Sequence, residues 1–394
     1  MAKRPPEHLK VAVDARPLDI AYLRAQGIGR YAQGLLGPLA AVAEERGWEL
    51  ITLRSRSPAA GTFGLEPAGG PAVRRVRRPP VPNRLADLPE QLLLPLDLRR
   101  CGATVSHALS IYRAAVLPGV PTVMSVHDVA PLMWPEHYLR TGVLHRMLYL
   151  AARRARLLLA PTDAARGDIA THLGVPAQRI VTVPLAVDEA FTPVDPRPAR
   201  PLLGFEGPYL LYVGGLANHD WRKNLRGLIE GFAAWQRAHE RPETLVLAGG
   251  VGPEGRDLAR LAGELGAPVV LPGFVPDSDL PALFSGASCF VTASRYEGFG
   301  LPALEAISTG TPVVAFDTGA VPEVAGPGAV TVSDGDLSAL MRAAQSVCDD
   351  PELRARLRDV GLDHARRYSW RRTAELTWDA YERVAGSGLP TSGR

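Results

Sequence analysis

The feature that most constrains this chain is an alternation: short apolar, β-rich runs take turns with stretches of helical periodicity along the whole of its 394 residues. Strands that alternate with helices are joined by crossovers, and crossovers build parallel sheets with helices packed on them. The fold class expected is therefore α/β. In the first half the pattern predicts strands at Val11–Asp14, Glu49–Leu53, Ala103–His107, Thr122–His127, Leu157–Ala160 and Ile180–Val183, with helices such as Gly29–Glu45 and Gly142–Arg156 between them. Residues 54–90 carry clustered Pro, Gly and Arg and read as irregular loops.

Near FTPVDPRPARPLLGFEG the alternation stops, because Pro193, Pro196, Pro198 and Pro201 remove backbone donors and forbid a continuing helix. It restarts with Tyr209–Val213, a helix through Asn224–His239, Thr244–Ala248, a helix to Leu265, Pro268–Leu271, a short helix at Leu280–Ala287, Ser288–Thr292 and Pro312–Ala315. The expected organisation is a first domain over 1–195, a Pro-rich linker over 196–206, a second domain over 207–368, and a terminal helix and tail over 369–394. Two such domains would enclose a cleft at the carboxyl ends of their strands, where ligands of parallel sheets bind. The last segment, YSWRRTAELTWDAYERV, has an amphipathic pattern suited to packing across both.

Composition removes several function classes. With 46% hydrophobic and 22% charged residues the chain is globular, and it contains no apolar run fit to span a bilayer. The opening MAKRPPEHLK runs into a strand without an apolar signal region, so the expected location is cytoplasmic. Cys101, Cys289 and Cys348 form neither a zinc spacing nor a disulfide framework. The net charge is near neutral at +3, and no nucleic acid is expected as a partner, but the charge is unevenly spread: residues 1–200 carry 26 basic against 17 acidic groups. That basic half suits either peripheral contact with the inner face of a membrane, or an acidic acceptor, or simply a solvated surface that includes the Arg74, Arg75, Arg77 and Arg78 run. Lysine is scarce in a chain whose other basic residues are arginines, a bias suggesting a GC-rich bacterial genome, and Lys223 is the only lysine beyond Lys10.

The chemistry concentrates in ASCFVTASRYEGFGLPALEAISTGTPVVAF, which reads strand, loop, helix, strand. Gly298 and Gly300 allow close approach of a ligand to the backbone, and Pro302 suits the first turn of the following helix. Phosphate could then meet the N–H groups and positive dipole end around Gly300, Leu301 and Ala303, with no metal required. Glu297 in the loop and Glu305 on the helix could accept paired hydrogen bonds from vicinal hydroxyls, or could be a cap and a solvated side chain. In YVGGLANHDWRKNL a strand ends at Gly214 and Gly215, and the basic pair Arg222 and Lys223 stands before the next helix. Gly273-Phe274-Val275 follows a short strand. In the first half, Gly27, Ile28 and Gly29 open a helix as a lone Gly-x-Gly, and His127-Asp128 and His107 end strands. Asp277–Asp279 and Asp334–Asp336 each precede an apolar helical pattern, which makes them helix caps rather than metal ligands.

The EGFGLPALE segment closely resembles the nucleotide-sugar site of glycosyltransferase family 4, whose members have the two-domain GT-B fold of two Rossmann-like parallel-sheet domains. The resemblance covers nearly all of the chain, most strongly 209–326 and more loosely 54–100. It implies a metal-independent, retaining transfer of a hexosyl group from a nucleotide diphosphate sugar to a hydroxyl acceptor, which could be a sugar, a lipid-linked sugar or a small molecule, with no cofactor besides the co-substrate. It puts Glu297 near the donor sugar, Gly298, Phe299, Gly300 and Leu301 along the phosphates, and Glu305 on the ribose. Lys223, with Arg222 as helper, and the turn at Gly214 and Gly215 fall at the diphosphate, and Gly273, Phe274 and Val275 at the base. Gly27, Ile28 and Gly29 fall beside the donor phosphate and acceptor, and His127, Asp128 and, more weakly, His107 on the acceptor side, with His127 also a catalytic candidate at the sugar or the transition state. Many members have Arg after the first glycine of GG, where this chain has Gly215. The GIGRY and RKN segments are similar to mannosyltransferase-like members, so GDP-mannose leads over UDP-glucose. A sugar-nucleotide epimerase or phosphorylase on the same fold, or an idle nucleotide-sugar binding protein, are the alternatives.

Overall fold

The computed structural model describes residues 9–19, 27–55, 72–76, 87–111, 114–138 and 143–386. The opening segment up to His8, most of the 54–90 stretch with Arg77 and Arg78, Gly142 and the tail beyond Gly386 lie outside the described residues. The chain forms two compact units, Met1–Ala186 together with Tyr368–Arg394, and Val187–Arg367.

The first unit is a seven-stranded sheet of β1 (Lys10–Asp14), β2 (Glu49–Ser55), β3 (Ala72–Val76), β4 (Val105–Ala108), β5 (Thr122–Ser125), β6 (Leu157–Ala160) and β7 (Ile180–Thr182), in the order β3-β2-β1-β4-β5-β6-β7. Every neighbouring pair is parallel. β3 falls in the stretch expected to be irregular. Its two arginines, in AVRRV, break the apolar run by which a strand is read. Helices α1 (Gly27–Arg46), α2 (Asp87–Arg100), α3 (Val143–Arg154) and α4 (Asp163–Leu173) lie in the crossovers from β1, β3, β5 and β6. α4 shows why the sequence stops and starts where it does: the Thr162 hydroxyl accepts from the Ala165 N–H, and Gly174 ends the helix in the left-handed region at φ 60°.

The second unit has β8 (Tyr209–Val213), β9 (Thr244–Ala248), β10 (Val269–Gly273), β11 (Cys289–Thr292), β12 (Val313–Phe316) and β13 (Ala329–Val332), all parallel, in the order β10-β9-β8-β11-β12-β13. β9, β11 and β12 are apolar runs with almost no exposed residue, as expected of strands covered on both faces. Helices α5 (Leu225–His239), α6 (Pro253–Leu265), α7 (Leu280–Ser285), α8 (Leu301–Ser308), α9 (Leu337–Asp349) and α10 (Pro351–Ala365) surround this sheet, whose core includes Phe232, Trp235, Leu247 and Phe316.

The Pro-rich stretch is not a linker. The chain changes unit at Ala186, and 196–206 belong to the second unit, where Pro198 and Pro201 begin the short helices Arg197–Ala199 and Arg200–Leu203. Proline ends a helix but also starts one, since its fixed φ and missing N–H suit the first turn. Ala199 and Leu203 are buried there, and the Val194 N–H donates to the Ser285 hydroxyl of α7. The terminal helix α11 (Trp370–Gly386) belongs to the first unit. Its Trp378 is fully buried and donates from Nε1 to the Leu39 carbonyl of α1 at 2.8 Å.

Candidate active site

In a doubly wound sheet the strand order reverses at one place, and the loops leaving the two strands there open a crevice at their carboxyl ends. In the second unit that place lies between β8 and β11. The loop after β8 carries Gly214 to Asn224 and the loop after β11 carries Ala293 to Gly300, so the topology brings together the two motifs that the sequence separates.

The β8 loop is held in position by glycines. The Gly214 N–H donates to Ala248 O at 3.0 Å, and the Gly249 N–H to Gly273 O at 2.9 Å. A Cβ on Gly249, at φ 157°, would stand 1.8 Å from the Gly214 carbonyl oxygen, so no other residue fits. Further along, Asp220 caps the turn Trp221–Lys223 through the Arg222 N–H and grips the Arg222 guanidinium at 3.0 and 2.8 Å. Burial raises the Asp220 carboxyl, but the hydrogen bonds and charge of Arg222, with the charge of Lys223, outweigh it and hold the group below the usual carboxylate range. His219 stands 3.3 Å from Glu254, whose own carboxyl is raised by burial.

The β11 loop is tied to this turn through its backbone. The Arg295 N–H donates to Arg222 O at 2.7 Å, and the Ala320 N–H to Glu297 O at 3.0 Å. Gly319, at φ 59°, lets the backbone after β12 pass so close to Glu297 that a Cβ would lie 2.8 Å from the Glu297 nitrogen. The outcome is that Lys223 Nζ reaches both oxygens of Glu297, at 2.6 and 2.8 Å, with both side chains about one fifth exposed. Gly300, at φ 86°, opens α8. Ala303 leaves the set of candidate phosphate donors, because its N–H donates to Gly300 O at 2.9 Å, and Pro302 has none to give. Gly298 and Phe299 are buried in the loop, while Gly300 and Leu301 are half-buried. Glu305 is buried on α8 at 1% exposure, not solvated. Gly215 is exposed and brings no cation to the loop. On the far edge, Gly273 turns at φ 83°, Phe274 is 76% exposed and Val275 is buried.

In the first unit Gly27, Ile28 and Gly29 form the first turn of α1. His127 follows β5, and its Nε2 donates to Leu109 O at 3.0 Å, since a carbonyl can only accept. Nδ1 then keeps its lone pair, and burial pushes the imidazole below its usual range against the hydrogen bond to Leu109 and the charge of Asp128. Tyr31 packs edge-on against it at 4.8 Å. Asp128 accepts from the Ala130 N–H at 3.1 Å and starts a short helix.

His107 does not fit the acceptor role assigned to it. It is fully buried, with Nδ1 2.6 Å from the Tyr381 hydroxyl and Nε2 2.9 Å from the Ser125 hydroxyl, so both ring nitrogens are engaged within the fold and neither is left for an acceptor. The two Asp-x-Asp strings also differ: Asp336 caps α9 through the Ala339 N–H at 2.8 Å, whereas Asp279 stands at the start of α7 without a side-chain cap. Asp220, Gly249 and Gly319 were missed in the sequence. Gly249 alone left a signal there, since the chain reads Ala-Gly-Gly at the end of a strand.

Two doubly wound units, one with a glycine-built crevice that pairs a lysine and a glutamate beside a helix start, give the chain the two-domain GT-B fold. Residues 200–362 match the family described as glycosyl transferases group 1, and residues 26–191 match glycosyltransferase family 4. Among its relatives, O-antigen chain mannosyltransferase B of Escherichia coli is 32% identical over 66% of this chain and 70% of its own length. The serotype-specific mannosyltransferase WbdA of Escherichia coli is 28% identical over 68% of this chain but only 34% of its own length. The structure of HepE of Anabaena in complex with UDP-glucose superimposes with a TM-score of 0.71 at 19% identity, covering 95% of this chain and 99% of that one. The chain belongs to glycosyltransferase family 4. It is a glycosyltransferase, and among the described residues no helix is long and apolar enough to cross a membrane.

Proposed function

We propose that this enzyme moves a hexosyl group, mannosyl ahead of glucosyl, from a nucleoside diphosphate sugar to a hydroxyl acceptor, with retention of configuration and without an obligatory metal or cofactor. The observation that carries the reading is the Lys223–Glu297 pair at the reversal of strand order, beside the start of α8. A lysine and a helix start together stabilise the charge that grows on a departing diphosphate. Glu297 then orients sugar hydroxyls, Glu305 the ribose, and the turn from Gly273 to Val275 the base. The bond from the anomeric carbon to phosphate oxygen breaks and the bond to the acceptor oxygen forms on the same face, while the acceptor proton passes to the departing phosphate. In the first unit His127, neutral and with a lone pair on Nδ1, accepts a hydrogen bond from an acceptor hydroxyl. The acceptor is a sugar, a lipid-linked sugar or a small molecule, and the basic first half of the chain supports peripheral contact with an anionic membrane face.

The mannosyl preference draws on the two relatives above, and the HepE complex keeps UDP-glucose as the second donor. Screening GDP-mannose against UDP-glucose, with product anomers assigned by NMR, tests donor and stereochemistry together. Lys223→Ala should lower turnover by about a hundredfold or more. Wild-type turnover should survive EDTA. Full turnover by the variant, or complete loss with the chelator, sinks the mechanism.

A further inference from the structure

We infer that Glu297 and the donor diphosphate compete for one cation: Lys223 passes from the carboxylate to the phosphates as the nucleotide sugar binds, and returns as the nucleoside diphosphate leaves. The inference rests on the reading above that these loops bind the diphosphate.

Lys223 spends two of its three N–H donors on Glu297, at 2.6 and 2.8 Å. The other basic side chains described on the two loops do not stand ready to replace it. Arg222 is gripped on two nitrogens by Asp220, and Arg295 lies 3.8 Å from Asp334. Gly215 carries no charge. Each strong cation of the β8 loop is thus matched by a carboxylate, and a diphosphate arriving there meets a lysine that Glu297 already holds by two of its three donors.

The backbone under the pair does not need to move for this exchange. The Lys223 N–H donates to Asp220 O and the Ala320 N–H to Glu297 O, each at 3.0 Å, so both side chains swing from main-chain atoms that are already held. Once Lys223 has left, the two oxygens of Glu297 are released together, which suits them to accept hydrogen bonds from two sugar hydroxyls. After transfer no sugar remains to hold Glu297. The carboxylate then draws Lys223 back and weakens the hold on the nucleoside diphosphate.

Calorimetric titration of GDP and UDP into wild type, Glu297→Gln, Lys223→Ala and the double variant tests this, with the intact nucleotide sugar titrated alongside. Glutamine keeps the shape and removes the charge, and Glu297→Ala provides a second variant with the same expected sign. Removing a partly exposed ion pair should tighten the nucleoside diphosphate between about twofold and about fivefold. The nucleotide sugar should show no such gain, because its sugar loses a carboxylate. In the Lys223→Ala background the gain should vanish, as coupling through one shared partner requires. Unchanged or weaker nucleoside diphosphate binding by Glu297→Gln overturns the competition. So does an equal gain without Lys223, which would mark plain repulsion between carboxylate and phosphate. Wild-type binding by Lys223→Ala overturns instead the placement of the diphosphate itself.

Discussion

Two histidines at neighbouring strand ends show what burial does to identical chemistry. His127 keeps one ring nitrogen with a lone pair, whereas His107 has both nitrogens engaged and is pushed down to about 3 by burial, with the charge of His127 adding to the shift. A buried neutral histidine works against the fold in acid, because the unfolded chain takes up a proton near pH 6.5 and the folded one does not until about 3. Its contribution is complete above the unfolded value and falls by about 1.4 kcal/mol for each pH unit below it. Urea midpoints measured at pH 7 and pH 4.5 should therefore converge in His107→Gln relative to wild type. An unaltered pH difference would show that the imidazole titrates freely. The sequence could not separate the two residues, since the partner that closes over His107 is Tyr381, 274 positions away. Lys223 was legible for a local reason, its rarity among arginines, but its contact with Glu297 is made across 74 positions and was not.

Among the elements, α11 shows how a single helix completes a unit. Tyr381 reaches His107, Trp378 reaches Leu39, and a Cβ on Gly34 of α1 would stand 2.1 Å from the Trp370 indole. Trp378→Ala removes the largest fully buried side chain among the described residues and leaves the Leu39 carbonyl without its indole donor, so it should cost about 3–5 kcal/mol. Trp378→Phe keeps most of the volume and should cost markedly less. Denaturant unfolding would decide it: a loss for the alanine variant below about 1 kcal/mol, within the range of ordinary surface changes, contradicts this packing. Central strands were readable because both of their faces are covered, which makes them continuous apolar runs. β13, with AVTV partly exposed along its length, sits at the edge of its sheet and gives no such run.

Each unit of the whole molecule has its own sheet and its own core, so unfolding need not be a single step. A nucleoside diphosphate at about 100 times its Kd should add about 2.7 kcal/mol to the unit that binds it. In scanning calorimetry of Trp378→Ala, the transition lowered by the substitution belongs to the first unit and should stay in place on adding the nucleotide, while the other rises. A rise in the lowered transition alone would move the nucleotide to the first unit. The boundary between units was the poorest part of the sequence reading, because proline marks an interruption of helix and not an interruption of packing.

The first unit is discontinuous, leaving the chain at Ala186 and resuming at Tyr368. During synthesis its sheet emerges first, yet the helix that closes over Tyr31, Leu39 and His107 is made only after the whole of Val187–Arg367. The second unit, contiguous in the chain, is complete earlier. Vectorial folding from the amino end is therefore reversed here. A chain truncated at Arg367 and released from the ribosome should contain a protease-resistant second unit and a first unit that is still open.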